Sequence, residues 1–166
     1  MNGGLRSSLR TWSLEHLPWL ALLFGRLTPE ELGLAAEALV ARRLAAAEWR
    51  LLGRRLAAPG AELDLVALDG EILVAVEVKA SRVPLSGLRF RPGERLDAER
   101  YKRQVLAIEQ LARGLTRGTK RVPETRVDLV EVYLYEFPRC VRLTHHVDLD
   151  GPLNGEVPGT RNEHGR

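Results

Sequence analysis

The chain has 166 residues, 45% hydrophobic and 28% charged, which is enough for one domain with a buried core. Its single cysteine, Cys140, excludes an internal disulfide and a thiol-rich zinc site and fits a reducing, cytoplasmic setting. The formal net charge of +3 is too small to identify a nucleic-acid binder by itself.

Residues 1–27 read as an extension that precedes the core. Leu17 to Phe24 is apolar and follows Arg6 and Arg10, a superficial likeness to a signal peptide. The run is short, contains Pro18, follows Glu15 and leads into Gly25-Arg26-Leu27, a poor cleavage site. It is also too short to cross a bilayer, so no transmembrane segment is expected. A short helix packed on the domain or on a partner is expected, with a membrane-surface anchor as the alternative. The core domain is taken as residues 28–149. It opens on a capping box: Thr28 at the cap, Pro29 at the first helical position and Glu31 three residues on. A helix is expected from Pro29 to about Ala47, with Leu32, Ala36, Leu39, Val40 and Leu44 on its buried stripe. Glu37 lies at the border of that stripe, and Gly33 would allow the helix to approach its neighbour closely. Alone, Glu37 could equally be an exposed glutamate paired with Arg42 or Arg43.

Trp49 to Leu56 reads as a first strand, broken by Ala57-Ala58-Pro59-Gly60. Two alternating runs follow, Glu62 to Leu68 and Glu71 to Lys79, around Asp69-Gly70. Asp-Gly favours a two-residue type I′ hairpin turn. That turn pairs Leu68 with Glu71, Asp64 with Ala75 and Glu62 with Glu77. Side chains alternate between faces along a strand, so Glu62, Asp64, Glu77 and Lys79 share one face. A one-residue slip would separate them. Three carboxylates on one face repel unless a cation joins them. Hard oxygen ligands suit Mg²⁺ or Mn²⁺. Such an ion could polarise a phosphoryl oxygen and activate water, with Lys79 beside it to orient the water or stabilise the developing charge. The alternative is a solvated face with scattered charges.

Ser81 to Gly93 reads as a loop carrying Arg82 and the triplet Arg89-Phe90-Arg91. A helix from about Glu94 to Leu115 follows, with Tyr101, Val105, Ile108, Ala112 and Leu115 as its buried stripe. Arg82, Arg89, Arg91, Arg95, Arg100, Lys102 and Arg103 form a basic stretch suited to a polyanion, or else a solvated surface. Gln104 reads as an exposed polar residue that could contact a phosphate or base. A basic connector leads to strands over Arg126–Tyr135 and Arg139–His145. Asp128 reads as structural, and the adjacent His145 and His146 cannot both face one metal from a strand. Residues 150–166 are rich in Gly, Pro and charge and are expected to be disordered. Helix, strand, hairpin, helix, strand, strand is an α/β order with a mixed sheet between helices.

Asp64 followed by Glu77-Val78-Lys79 resembles the PD-(D/E)xK nuclease signature of the restriction-endonuclease-like fold. The stretch from Gly33 to about Val147 resembles the YraN-like family, small bacterial proteins predicted to be endonucleases. The resemblance rests on Gly33-Leu34-Ala35-Ala36-Glu37, Gly60-Ala61-Glu62-Leu63-Asp64, Val76-Glu77-Val78-Lys79 and Arg126-Val127-Asp128-Leu129-Val130. It implies a restriction-endonuclease-like core acting on nucleic acid, with DNA the expected partner. Asp64 and Glu77 are then metal ligands, Lys79 is the catalytic lysine, Glu37 is the helix glutamate that reaches the same site, and Glu62 is a further member. Two positions depart from the family pattern. Ser81 stands where a basic residue is usual, and Gly60-Ala61 replaces Gly-Gly. Enzymes that cut both strands often pair two sites, so a homodimer is a further expectation. The other reading is a nucleic-acid-binding module of this fold without turnover.

Overall fold

The computed structural model describes residues 14, 16–24, 27–83, 98–115, 122–136 and 139–149. A short helix α1 (Pro18–Phe24) leads into α2 (Pro29–Ala46). The capping box that starts α2 is formed as expected. The Thr28 N–H donates to Glu31 Oε2 (2.8 Å), and the Glu31 N–H donates to Thr28 Oγ1 (3.2 Å). Two donors otherwise left without helical partners are thereby satisfied, and such a cap stabilises by about 1 kcal/mol. The helix ends at Ala46 with Ala47 as its cap; Glu48 beyond it adopts a positive φ of 65°, while the Trp49 N–H reaches back to the Leu44 carbonyl (3.0 Å).

Five strands follow: β1 (Arg50–Ala58), β2 (Ala61–Asp69), β3 (Ile72–Val83), then α3 (Ala98–Leu115), β4 (Thr125–Glu136) and β5 (Arg139–His146). They form one sheet in the order β1-β2-β3-β4-β5. All neighbours are antiparallel except β3 and β4, which run parallel and are joined through α3. The fold is α/β: a mixed sheet with α2 on one face and α3 on the other, consistent with a restriction-endonuclease-like core. Ala36, Val40 and Leu44 of α2 pack on Leu65, Val74, Val76, Val130 and Val132. Ala107, Ile108 and Ala112 of α3 pack on Val66, Leu73, Ala75 and Val127. Leu22 of α1 is buried against Leu32 and Ala35 of α2 and Leu134 of β4, so α1 packs on the domain. Among the described residues, no helix is long and apolar enough to cross a membrane.

The hairpin register differs from the expectation. Asp69 pairs with Ile72, so the turn is Gly70-Glu71 rather than Asp69-Gly70. Gly70 has φ +60° and Glu71 does not share a positive φ, as in type II′ turns. The shift places Leu68 opposite Leu73, an apolar cross-strand pair, where the other turn would have set Leu68 against Glu71. It also frees the Asp69 carboxylate for Arg126 (3.0 Å). Moving a two-residue turn by one position displaces every pair by two, so the faces are preserved. Asp64 now comes into line with Glu77 instead of Ala75.

Other expectations change in smaller ways. The first strand runs through Ala58, and the break is confined to Pro59-Gly60, where Gly60 takes φ +82°. Alternation along β2 is not strict, because Leu63 packs with Val66 on the α3 side while Leu65 packs on the α2 side. Leu115 at the end of α3 is 58% exposed and does not belong to the buried stripe. A Cβ placed on Gly33 would meet nothing within 4 Å, so that glycine does not mediate a close helix approach. The start of the second helix at Glu94, the arginines Arg89 and Arg91, and residues 150–166 lie outside the described residues.

Candidate active site

The β2–β3 ladder ends at Leu65↔Val76. Beyond it β3 stays paired to β4 through Val83, while β2 stays paired to β1 down to Ala61. The two strands fork, and the acidic residues lie in the fork. Asp64 fills the place of the lost ladder bond: the Val78 N–H donates to its Oδ2 at 2.8 Å. Opposite Asp64 on β1 sits Arg55, a non-glycine residue with φ +50°. Such left-handed conformations are costly and concentrate at functional sites.

Glu77 is the most deeply buried of these groups, with a side chain 0% exposed. Its Oε1 is ion-paired to Lys79 Nζ and to Arg100 Nη2, the latter at 2.7 Å. Its Oε2 accepts a hydrogen bond from Gln104 Nε2. Lys79 comes from the same strand two residues on, which is the spacing of a shared face. Arg100 and Gln104 come from α3, four residues apart and therefore on one side of that helix. An ionised carboxylate in such burial requires this level of compensation.

Asp64 is less well compensated. Burial and then the neighbouring Glu77 charge push its pKa up to about 6, against the opposing pull of the Val78 N–H, Lys79 and Arg100. Glu37 arrives from α2. Its pKa is also raised, by burial first and the Asp64 charge second, with Arg55 and Arg54 opposing. Its Oε2 is buried without a hydrogen-bond partner. Glu37 of α2 and Asp64 of β2 thus feel each other's charge.

Other expected site residues fall at varying distances from this centre. Glu62 does not join Glu77 and Lys79. Its carboxylate takes Arg55 Nε and Nη2, both at 3.1 Å, and is 52% exposed. It lines a cavity of about 260 Å³ together with Gly60, Ala61, Arg100, Arg103 and Gln104. Arg103 therefore borders the site. Lys102 points to solvent and pairs with Glu99 (3.4 Å). Arg82 is committed elsewhere, donating from Nη2 to the Leu27 carbonyl (2.7 Å) just before α2.

The sequence places Arg100 in the basic stretch and Gln104 at the surface, and neither is expected to hold Glu77. Gln104, expected at the surface, is 2% exposed. The signal that finds it is helical spacing: position 104 lies three after Tyr101 and four before Ile108, inside the buried stripe. Arg100 then falls one turn earlier on the same side.

The donor set is oxygen-rich and anionic, which suits a hard divalent ion. Two carboxylates held close enough to raise the pKa of one, with an orphaned glutamate oxygen nearby, are what such an ion would satisfy. Among the described residues, no three acidic, histidine or cysteine side chains already converge into a metal-holding group. Mg²⁺ commonly uses only one or two protein carboxylates and completes its shell with water and phosphate.

Residues 36–132 match the family described as Uncharacterised protein family UPF0102. The chain belongs to this family. A UPF0102 protein of Symbiobacterium thermophilum is 37% identical over 102 residues, covering 60% of this chain and 80% of the relative. One from Beutenbergia cavernae is 37% identical over 107 residues, covering 62% and 82%. One from Geobacter sulfurreducens is 30% identical over 120 residues, covering 71% and 89%. The match to the UPF0102 model spans Glu37, Asp64, Glu77, Lys79, Arg100 and Gln104.

Proposed function

We propose that this UPF0102 protein is a metal-dependent nuclease that hydrolyses phosphodiester bonds of nucleic acid, with DNA as the substrate. One observation carries the reading: Asp64, Glu77 and Lys79 meet in the fork between β2 and β3. Asp64 and Glu77 would hold Mg²⁺ or Mn²⁺, with Glu37 beside them. When bound, the ion supplies Lewis-acid polarisation of the phosphoryl oxygen and lowers the pKa of a bound water. Lys79 lies within reach of Glu77 and orients the attacking water or neutralises the charge that develops on phosphorus oxygens. Gln104 fixes the Glu77 carboxylate, since a ligand is effective only when held in place. The raised pKa of Asp64 sets the working range. Ligands must be deprotonated to bind metal, so metal affinity and cleavage rise as pH increases through about 6.

The test is purified protein with Mn²⁺ on single-stranded, duplex, flap and junction DNA. Lys79→Ala and Asp64→Ala are each expected to lower cleavage by about 10²–10³-fold or more. Cleavage that survives both substitutions would place the activity elsewhere.

A second reading has an observation in its favour. Glu77 is already neutralised by Lys79 and Arg100, and no three-carboxylate cage is preformed among the described residues. A nucleic-acid-binding module without turnover would show binding that falls steeply with salt, persists in EDTA and is indifferent to Glu77→Ala.

A further inference from the structure

Two cations answer the Glu77 charge, and they are not equivalent. Lys79 is on the same strand, its side chain 23% exposed. Arg100 is on α3, its side chain 42% exposed, and it also lines the neighbouring 260 Å³ cavity. Gln104 holds the other Glu77 oxygen and lines the same cavity, 2% exposed, with its own Oε1 buried and unpartnered. That cavity has room for many waters or for a hydrated tetrahedral anion. Among its described lining residues the one acid, Glu62, is countered by Arg55. Arg103 adds a second guanidinium at its wall.

A divalent ion on Asp64 and Glu77 would compete with Arg100 for Glu77 Oε1. Two positive centres on one carboxylate oxygen repel, and the arginine is the one with somewhere to go. Guanidinium groups are suited to phosphate because their N–H fork matches its oxygens. We propose that Arg100 is a two-position cation: it neutralises Glu77 in the metal-free protein and, on metal binding, turns into the cavity to hold a phosphate of the nucleic-acid backbone. Gln104 keeps Glu77 in place during the exchange. Metal and polyanion binding are then positively coupled through one side chain, and the coupling is reciprocal. This inference rests on the metal site proposed above but not on turnover.

The experiment uses the full chain and two measurements that need no cleavage. Calorimetry gives the affinity for Mn²⁺ without nucleic acid. Fluorescence anisotropy gives the affinity for a labelled DNA duplex with EDTA or with saturating Ca²⁺. For the wild type, Ca²⁺ is expected to tighten DNA binding about 5- to 150-fold, the usual span of coupling between two sites. In Arg100→Ala that factor falls to near one, while Mn²⁺ binds at least as tightly as in the wild type, because the competing cation is gone. Arg100→Gln, which keeps a polar side chain but is shorter and uncharged, is expected to behave in the same way, so a folding defect of one variant does not decide the result. Retained Ca²⁺ coupling in either folded variant overturns the proposal. So does a tenfold loss of Mn²⁺ affinity, which would make Arg100 a support of the metal site. A wild type that binds neither Mn²⁺ nor Ca²⁺ overturns it as well. Coupling without any cleavage of DNA would sustain the role of Arg100 and sink the nuclease reading alone.

Discussion

Two aspartates on the same sheet, Asp64 and Asp128, have opposite fates. Asp128 on β4 is 0% exposed and fully answered. Arg126 donates from Nε to Oδ1 (2.8 Å) and from Nη2 to Oδ2 (3.0 Å), His145 Nε2 lies 2.9 Å from Oδ2, and the Asp148 N–H donates at 3.0 Å. Burial alone would raise its pKa. The bonds from His145, Arg126 and Asp148 more than reverse this and hold it below the usual carboxylate range. Asp64 accepts the Val78 N–H, and its strongest charged neighbour is another acid. The fully buried aspartate therefore has the lowered pKa, and the half-buried one the raised pKa. The lesson is that compensation, rather than burial, decides whether an enclosed carboxylate keeps its charge easily or resists it.

The contrast can be broken most forcefully at Asp128. Asp128→Asn leaves the Arg126 guanidinium facing a neutral amide, and removing one partner of a buried pair typically costs about 3–5 kcal/mol. Denaturant unfolding measures this, and a loss below about 1 kcal/mol would mean the cluster is not a structural tie. Next in size is the response to a ligand. Mg²⁺ or Mn²⁺ at a hundred times its dissociation constant should stabilise the wild type by about 2.7 kcal/mol, read as a rise in thermal midpoint. Asp64→Asn should abolish that rise.

The smallest expected effect has the opposite sign to that at Asp128. Asp64→Asn should stabilise the metal-free protein at pH 8 by about 1–3 kcal/mol, because about two pKa units of strain on the charged form are relieved. The same strain fixes a pH trend. Between about pH 4 and 6 the folded Asp64 binds a proton that the unfolded chain releases, so metal-free stability falls as pH rises through this window. Asp128 acts the other way: its contribution is present above about pH 4 and is lost as pH drops below. Equilibrium unfolding of the wild type and Asp64→Asn from pH 4 to 8 should give curves that converge toward the acid end. Parallel curves would remove Asp64 from the role given to it.

Much of the frame was legible because its signals are local. Thr28, Pro29 and Glu31 fix the start of α2 within one turn of chain, and the alternation of Glu77, Val78 and Lys79 fixes a face. The turn was misplaced by one residue, yet the face survived because such an error shifts pairing by two. The compensating groups were harder to read. Gln104 is polar, so it resembled a surface residue until Glu77 supplied its partner. Asp128 could be read as structural, but Arg126, His145 and Asp148 meet on it only after β5 returns beside β4. Glu62 followed the face pattern on paper, but it lies beyond the fork and turned to Arg55. Patterns along the chain place side chains on faces. They do not show where two strands part.

The parallel pairing of β3 with β4 has a consequence for when the site comes into being. Leu73 must find Thr125 across the whole α3 crossover, and such long closures are entropically costly and slow compared with a hairpin. The β2–β3 hairpin can close while the rest of the chain is still unstructured. At that stage Asp64 and Glu77 face each other with neither Arg100 nor Gln104 in place. A fragment ending before α3 would carry every letter of the acidic signature, and it would lack what makes Glu77 tolerable in the interior. The smallest unit that completes the candidate site is therefore the sheet together with α3, and the acidic hairpin is its least self-sufficient part.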